Sequence, residues 1–145
     1  MKSHKRFRFK ILPENQLIIE NWSGEFNLKE ILDFKNTELL EPEWNSSYNV
    51  LADDRDINII TDFINEDMND YLPLSENFIK QRKTAVLTNS PSQVVAPTLM
   101  NLKKPSEALV NIEIFSTINA ALAWLNIDPE ESQKIYYILE ELKED

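Results

Sequence analysis

The stretch IEIFSTINAALAWLN, residues 112–126, decides the fold. Ile112, Ile114 and Phe115 make a short β-prone run. Ser116-Thr117 follow, and then Ile118, Ala121, Leu122 and Leu125 recur at the spacing of one helical face. The chain passes from strand to helix with no glycine at the joint. A hydroxyl of Ser116 or Thr117 can accept from the first free N–H groups of the helix, so none is needed. A strand delivered straight into a helix is the building unit of a parallel sheet with helical crossovers.

The same unit recurs upstream. Residues 5–12 and 16–23 predict two strands, joined by Pro13-Glu14-Asn15 as a hairpin turn, with Gly24 ending the second. In the first strand Phe7, Phe9 and Ile11 alternate with Arg6, Arg8 and Lys10. This is the pattern of a half-buried edge strand with its charges turned to water. Asn27 and Glu30 have capping-box spacing, ahead of a helix with Leu28, Ile31, Leu32 and Leu39 on one face that stops before Pro42. Residues 48–53, YNVLAD, predict a central strand ending in Asp53, Asp54, Arg55 and Asp56. Thr61 is the N-cap of a predicted helix bearing Ile64, Met68, Tyr71 and Leu72, and a short helical piece starts at Ser75. Residues 83–87 predict the fourth strand. Thr88-Asn89-Ser90-Pro91-Ser92 then lead to a helix bearing Val94, Val95, Leu99 and Leu102, kinked or shortened at Pro97. After the fifth strand, 110–115, and its helix, Pro129 opens a last helix with Ile135, Ile138, Leu139 and Leu142 as its stripe. The expected fold class is α/β: a small mixed, mostly parallel five-stranded sheet with an N-terminal hairpin and flanking helices. Residues 1–145 read as a single domain, with 129–145 a C-terminal helical extension.

Composition narrows the function. With 145 residues and 42% hydrophobic side chains the chain can build one core. There is no cysteine, which excludes disulfides and thiol chemistry. The single glycine, Gly24, excludes dinucleotide fingerprints and P-loops, which need several. The single histidine, His4, leaves no basis for a histidine triad or a His-rich zinc site. Five cationic side chains in the first ten residues leave the remaining chain at a net −15, so nucleic acid is not an expected partner. No apolar run approaches the ~18 residues of a membrane span, and no signal peptide is expected after the basic start MKSHKRFRFK. A bacterial, cytoplasmic location is the expectation.

Phe115-Ser116-Thr117 followed by Ala120-Ala121-Leu122-Ala123-Trp124-Leu125 resembles the C-terminal signature of SpoIIAA-like (STAS-related) domains. Leu17-Ile18-Ile19-Glu20-Asn21-Trp22-Ser23-Gly24 is similar to that family's second strand, Tyr48 to Asp56 to its third, and Ala85-Val86-Leu87-Thr88-Asn89 to its fourth. The resemblance spans roughly residues 5–126. It implies a protein-interaction module, such as an anti-anti-sigma factor switched by serine phosphorylation, or a holder of small apolar or anionic ligands. In switched members a D-S-G turn carries the acceptor. Here the matching segment reads Asn58-Ile59-Ile60-Thr61-Asp62, the Ser-Gly pair is absent, and Thr61 is the phosphorylation candidate.

In open parallel sheets ligands bind beyond the carboxyl ends of the strands. The candidate ligand-binding residues are therefore Asp53, Asp54, Arg55 and Asp56, then Thr88, Asn89 and Ser90, and then Ser116. The leading expectation is a non-enzymatic binding module, without a cofactor, for a protein partner or small ligand. A second copy of the chain is a candidate partner through the last helix, and Trp44, in a loop, is a candidate surface contact. The alternative is a Mg²⁺-dependent enzyme using Asp53, Asp54 and Asp56, since three carboxylates within four residues suit a hard cation.

Overall fold

Leu17, Ile18 and Ile19 are all fully buried, so both faces of their strand must be covered. The computed structural model, which describes residues 5–59, 82–89 and 110–144, shows how. Strands β1 (Arg6–Leu12), β2 (Leu17–Phe26), β3 (Asn49–Ile59), β4 (Arg82–Leu87) and β5 (Val110–Phe115) form one sheet in the order β1-β2-β3-β4-β5. The β1–β2 pair is antiparallel and the other pairs are parallel. The described helices are α1 (Leu28–Glu38), α2 (Ile118–Trp124) and α3 (Ser132–Lys143). None of them is long and apolar enough to cross a membrane. The helices expected around Thr61, Ser75 and 94–102 lie outside the described residues.

Strand alternation sorts the core into two layers. Leu17, Ile19, Leu51, Ala85 and Leu87 pack against Leu122, Leu125, Ile135, Ile138 and Leu139 of the α2–α3 side. Ile18, Val50, Ala52, Val86 and Ile112 pack with Leu32 of α1 on the other side. Trp44 and Tyr48 lie half-buried against that second layer. A third group, Trp22, Phe26 and Ile57, is closed by Phe7, Ile31 and Phe34, with Trp22 stacked on Phe7 at 4.1 Å between ring centroids.

Two strands run further than their sequences suggested. β2 continues past Gly24, which has φ 106°, because Phe26 beyond it still faces the aromatic group. β3 continues through the acidic run to Ile59, because Ile57 and Ile59 pair with Gly24 and Phe26 and complete that same group.

The joints compensate for scarce glycine. Pro13–Asn15 form a 3₁₀ turn and Gln16 takes the left-handed conformation, φ 51°, to enter β2. Thr117 caps α2 by accepting from the Ala120 N–H at 3.2 Å, as the opening stretch requires. At the other end Asn126, φ 60°, closes α2: its N–H donates to the Ala123 carbonyl and that of Ile127 to the Leu122 carbonyl. This is a Schellman-type ending with asparagine in glycine's place. Asn27 and Glu30 form a complete capping box on α1.

The arginines of β1 are half-buried, while Lys10 is exposed. Phe7, Phe9 and Ile11 do take the α1 side, but Arg6 donates to the Lys143 carbonyl at 3.1 Å. Arg8 donates to the carbonyls of Leu142, at 3.1 Å, and Glu144. The last carbonyls of a helix lack partners within it and carry its negative dipole end, so two guanidinium groups satisfy both needs.

Ile135, Ile138 and Leu139 are buried against the sheet, so the stripe of α3 that made it a candidate dimer contact is covered within the chain. Each such side chain contributes roughly 1.5–3 kcal/mol by leaving water. Leu139→Ala should therefore lower the unfolding free energy by about 2–5 kcal/mol, whereas Tyr137→Ala, at a position 67% exposed, should change it by no more than about 0.5 kcal/mol. Urea unfolding followed by circular dichroism checks both. Equal effects would mean that α3 does not belong to the core.

Candidate functional site

The pairing of β2 with β3 positions the polar residues. Asn21 lies opposite Asp53, but the next registered pair is Ser23 with Asp56, so β3 carries one extra residue across from Trp22. Such a bulge re-aims neighbouring side chains. Before it, the two-residue period sends Asp53 toward α3, with Leu51, and Asp54 toward α1, with Val50 and Ala52.

Asp53 is fully buried and held on several sides. Arg55 grips it with both arms of its fork, Nε to Oδ1 and Nη2 to Oδ2, each at 2.8 Å. The Arg55 backbone N–H adds a bond to Oδ1 at 3.2 Å, and the Asn21 amide one to Oδ2 at 3.4 Å. The bond to Asp53 raises the Arg55 guanidinium above its ordinary range, against the opposing effect of burial, and the charges of Asp53, Asp56 and Glu140 add to it. Asp56 is exposed.

Asp54 has a different setting. It is buried, and its Oδ1 has no hydrogen bond among the described residues. Glu20 on β2, and Lys35 and Glu38 on α1, are buried as well. Lys35 Nζ lies 2.5 Å from Glu20 Oε2 and 3.4 Å from Glu38 Oε1, and the Trp22 indole N–H donates to Glu20 Oε1 at 3.1 Å. Burial first, then the charges of Glu20 and Asp53, hold the Asp54 carboxyl well above the usual carboxylate range, with Lys35 pulling the other way. Sequence reading missed this group. Its available signal was Glu20, a charge at an inward position of β2 between Ile18 and Trp22.

The acidic run is therefore not a loop at the strand end, as expected, but strand interior. Its three carboxylates do not converge: Asp53 and Asp54 lie on opposite faces and Asp56 in solvent. No group of acids or histidines among the described residues is arranged to hold a metal ion.

The ends of β4 and β5 stand side by side, Leu87 in register with Phe115, whereas Asp53, opposite Leu87, lies inside β3, which runs on to Ile59. One residue on, the Thr88 N–H donates to the Phe115 carbonyl at 3.0 Å, which sets Thr88 and Asn89 beside Ser116 and Thr117. Thr88 is buried, while Asn89, Ser116 and Thr117 are exposed. Ser90 and Thr61 lie outside the described residues.

Two solved structures share this architecture. One is an uncharacterized protein of the DUF3478 family from Shewanella loihica with a SpoIIAA-like fold. It is 14% identical, with a TM-score of 0.55 over 86% of this chain and 96% of that one. The other is an anti-sigma factor antagonist from Mycobacterium paratuberculosis. It is 12% identical, with a TM-score of 0.54 over 85% of this chain and 95% of that one. No family model and no curated protein sequence matches the chain. The chain has the SpoIIAA-like α/β fold, as the resemblance in its sequence implied.

The state of Asp54 has a measurable consequence. An unfolded aspartate releases its proton near pH 3.9, while the folded protein retains this one to higher pH. The native state then binds more protons than the unfolded state, so the contribution of Asp54 to stability is complete below that pH and is lost as pH rises toward the folded value. Wild-type stability should fall relative to Asp54→Asn by about 1.4 kcal/mol per pH unit within that window. Urea titrations at a series of pH values test this, and a difference independent of pH would contradict it.

Proposed function

We propose that this chain is a non-enzymatic, regulatory binding module that recognises a protein partner in a bacterial cytoplasm. The observation that carries the reading is the shared fold: a chain superposing over 85% of this one is an anti-sigma factor antagonist, a role defined by action on another protein. The contact surface of the proposal is the strand-end border around Asn89, Ser116 and Thr117. Exposed polar side chains stand side by side there on the ends of rigid strands, and rigid elements hold a recognition surface at low entropic cost.

The Mg²⁺-enzyme alternative is the weaker reading. It needs Asp53, Asp54 and Asp56 around one ion, and strand alternation separates the first two. Asp53 would have to exchange a two-armed arginine bond for the metal. A small ligand at the border is the second binding reading, and Thr61 stays the candidate for a phosphorylation switch.

Tagged full-length protein expressed in its own cells tests the proposal. Wild type should enrich a defined protein partner, and the Asn89→Arg, Ser116→Arg variant should lose at least about tenfold of it, about 1.4 kcal/mol of binding, at unchanged melting temperature. Equal recovery by the two would remove the border from the proposal. Millimolar Mg²⁺ or Mn²⁺ should leave the melting temperature where it was. A rise of several degrees, as expected for an ion saturating a native site, would favour the enzyme.

A further inference from the structure

Helix α1 is seated differently from α3. The described residues of α1 that are buried are Leu32, Lys35 and Glu38, one apolar and two ionic. In α3 the corresponding residues are Ile135, Ile138 and Leu139, all apolar. The hold of α1 on the sheet therefore includes charge beside the apolar contacts of Leu32, Ile31 and Phe34. Lys35 is shared between Glu20 of β2 and Glu38 of its own helix. Asp54 of β3, on the same face of the sheet, has one carboxyl oxygen buried and without a hydrogen bond among the described residues. Among the described residues the charges that act on Asp54 are Glu20 from β2, Lys35 from α1, and Asp53 from the opposite face of its own strand, with Glu38 paired to Lys35. Of β4, Lys83 is engaged on the α2 side, where its ammonium donates to the Trp124 carbonyl at 2.8 Å.

We propose that Asp54 is a proton-operated release for helix α1. While Asp54 carries its proton it is neutral, the Glu20–Lys35–Glu38 bonds stay closed, and α1 covers Trp22 and Phe26 with Ile31 and Phe34. When the proton leaves, a further negative charge is buried beside the Glu20 and Glu38 carboxylates, both of which pair with Lys35. A buried charge without a partner is strongly unfavourable, and the cation that acts on Asp54 among the described residues, Lys35, sits on the helix. Swinging the Lys35–Glu38 turn outward admits water to all four groups and uncovers the aromatic group. The feature rests on residues away from the strand-end border and is independent of which partner binds there.

Amide hydrogen exchange of the full chain between pH 5 and 9, divided by the intrinsic rates, reads the opening directly. Amides of residues 32–38 should show an opening equilibrium that rises by up to about tenfold per pH unit and then levels, while those of α3 stay flat. Asp54→Asn should flatten the α1 profile, and Asp56→Asn, at an exposed acid, should retain it. A flat wild-type profile, or a rise that survives Asp54→Asn, overturns the proposal. Should Asp54→Asn fail to fold, the ¹³C carboxyl titration of Asp54 in the wild type decides. A transition coinciding with the α1 opening supports the release, and one in the ordinary aspartate range overturns it.

Discussion

The parallel pairing of β2 with β3 is the constraint from which the rest of the molecule follows. It is the longest pairing in the sheet, from Leu17 with Asn49 to Phe26 with Ile59. At its start it is apolar on both faces and needs helices above and below. In its middle it carries Glu20-Asn21 against Asp53-Asp54, four polar residues inside a layer that excludes water. Buried polar groups persist only where they are satisfied or neutral. The two faces meet this demand in different ways. Toward α3, Asp53 is ionically matched by Arg55, two positions along its own strand. Toward α1, the match for Glu20 arrives from another element, and burial holds the Asp54 carboxyl well above the usual carboxylate range.

Much of this architecture was legible in the residues. The 110–115 strand and its hydroxyl cap, the Asn27–Glu30 capping box and the hairpin around Pro13 are local, and local hydrogen bonding forms them. The acidic run misled because charge usually marks a strand's end. The corrective clue was present: Asp53 and Arg55 are two apart, which places them on one strand face within salt-bridge reach. What could not be read were interactions between distant parts of the chain. Nothing near Arg6 or Arg8 indicates carbonyl partners beyond residue 140, and nothing near Lys35 announces Glu20. For the candidate site, alternation on β3 was the deciding physics. It divides what looked like one cluster into two, each with its own chemistry.

A chain with a single glycine also has to turn corners with ordinary residues. Gln16 and Asn126 both adopt the left-handed conformation, which costs a residue bearing a Cβ roughly 1–2 kcal/mol. At Asn126 two backbone hydrogen bonds at the end of α2 offset this. At Gln16 the carbonyl accepts from the Asn49 N–H at 3.1 Å, which ties the hairpin corner to the first residue of β3. The corners are thus fixed by the same pairing that fixes the core.

The clasp of Arg6 and Arg8 on the end of α3 has a consequence for biosynthesis. Its bonds join residues 134 to 137 positions apart, so they form only after residue 144 has left the ribosome. Until then Leu12, Leu17 and Ile19 present a bare apolar strip on one side of the nascent hairpin. Contacts of such long sequence separation slow folding, and exposed strips of this kind recruit other chains. Arg6, Arg8 and Lys10 on the same edge strand place like charges where identical hairpins would otherwise meet, which disfavours edge-to-edge pairing.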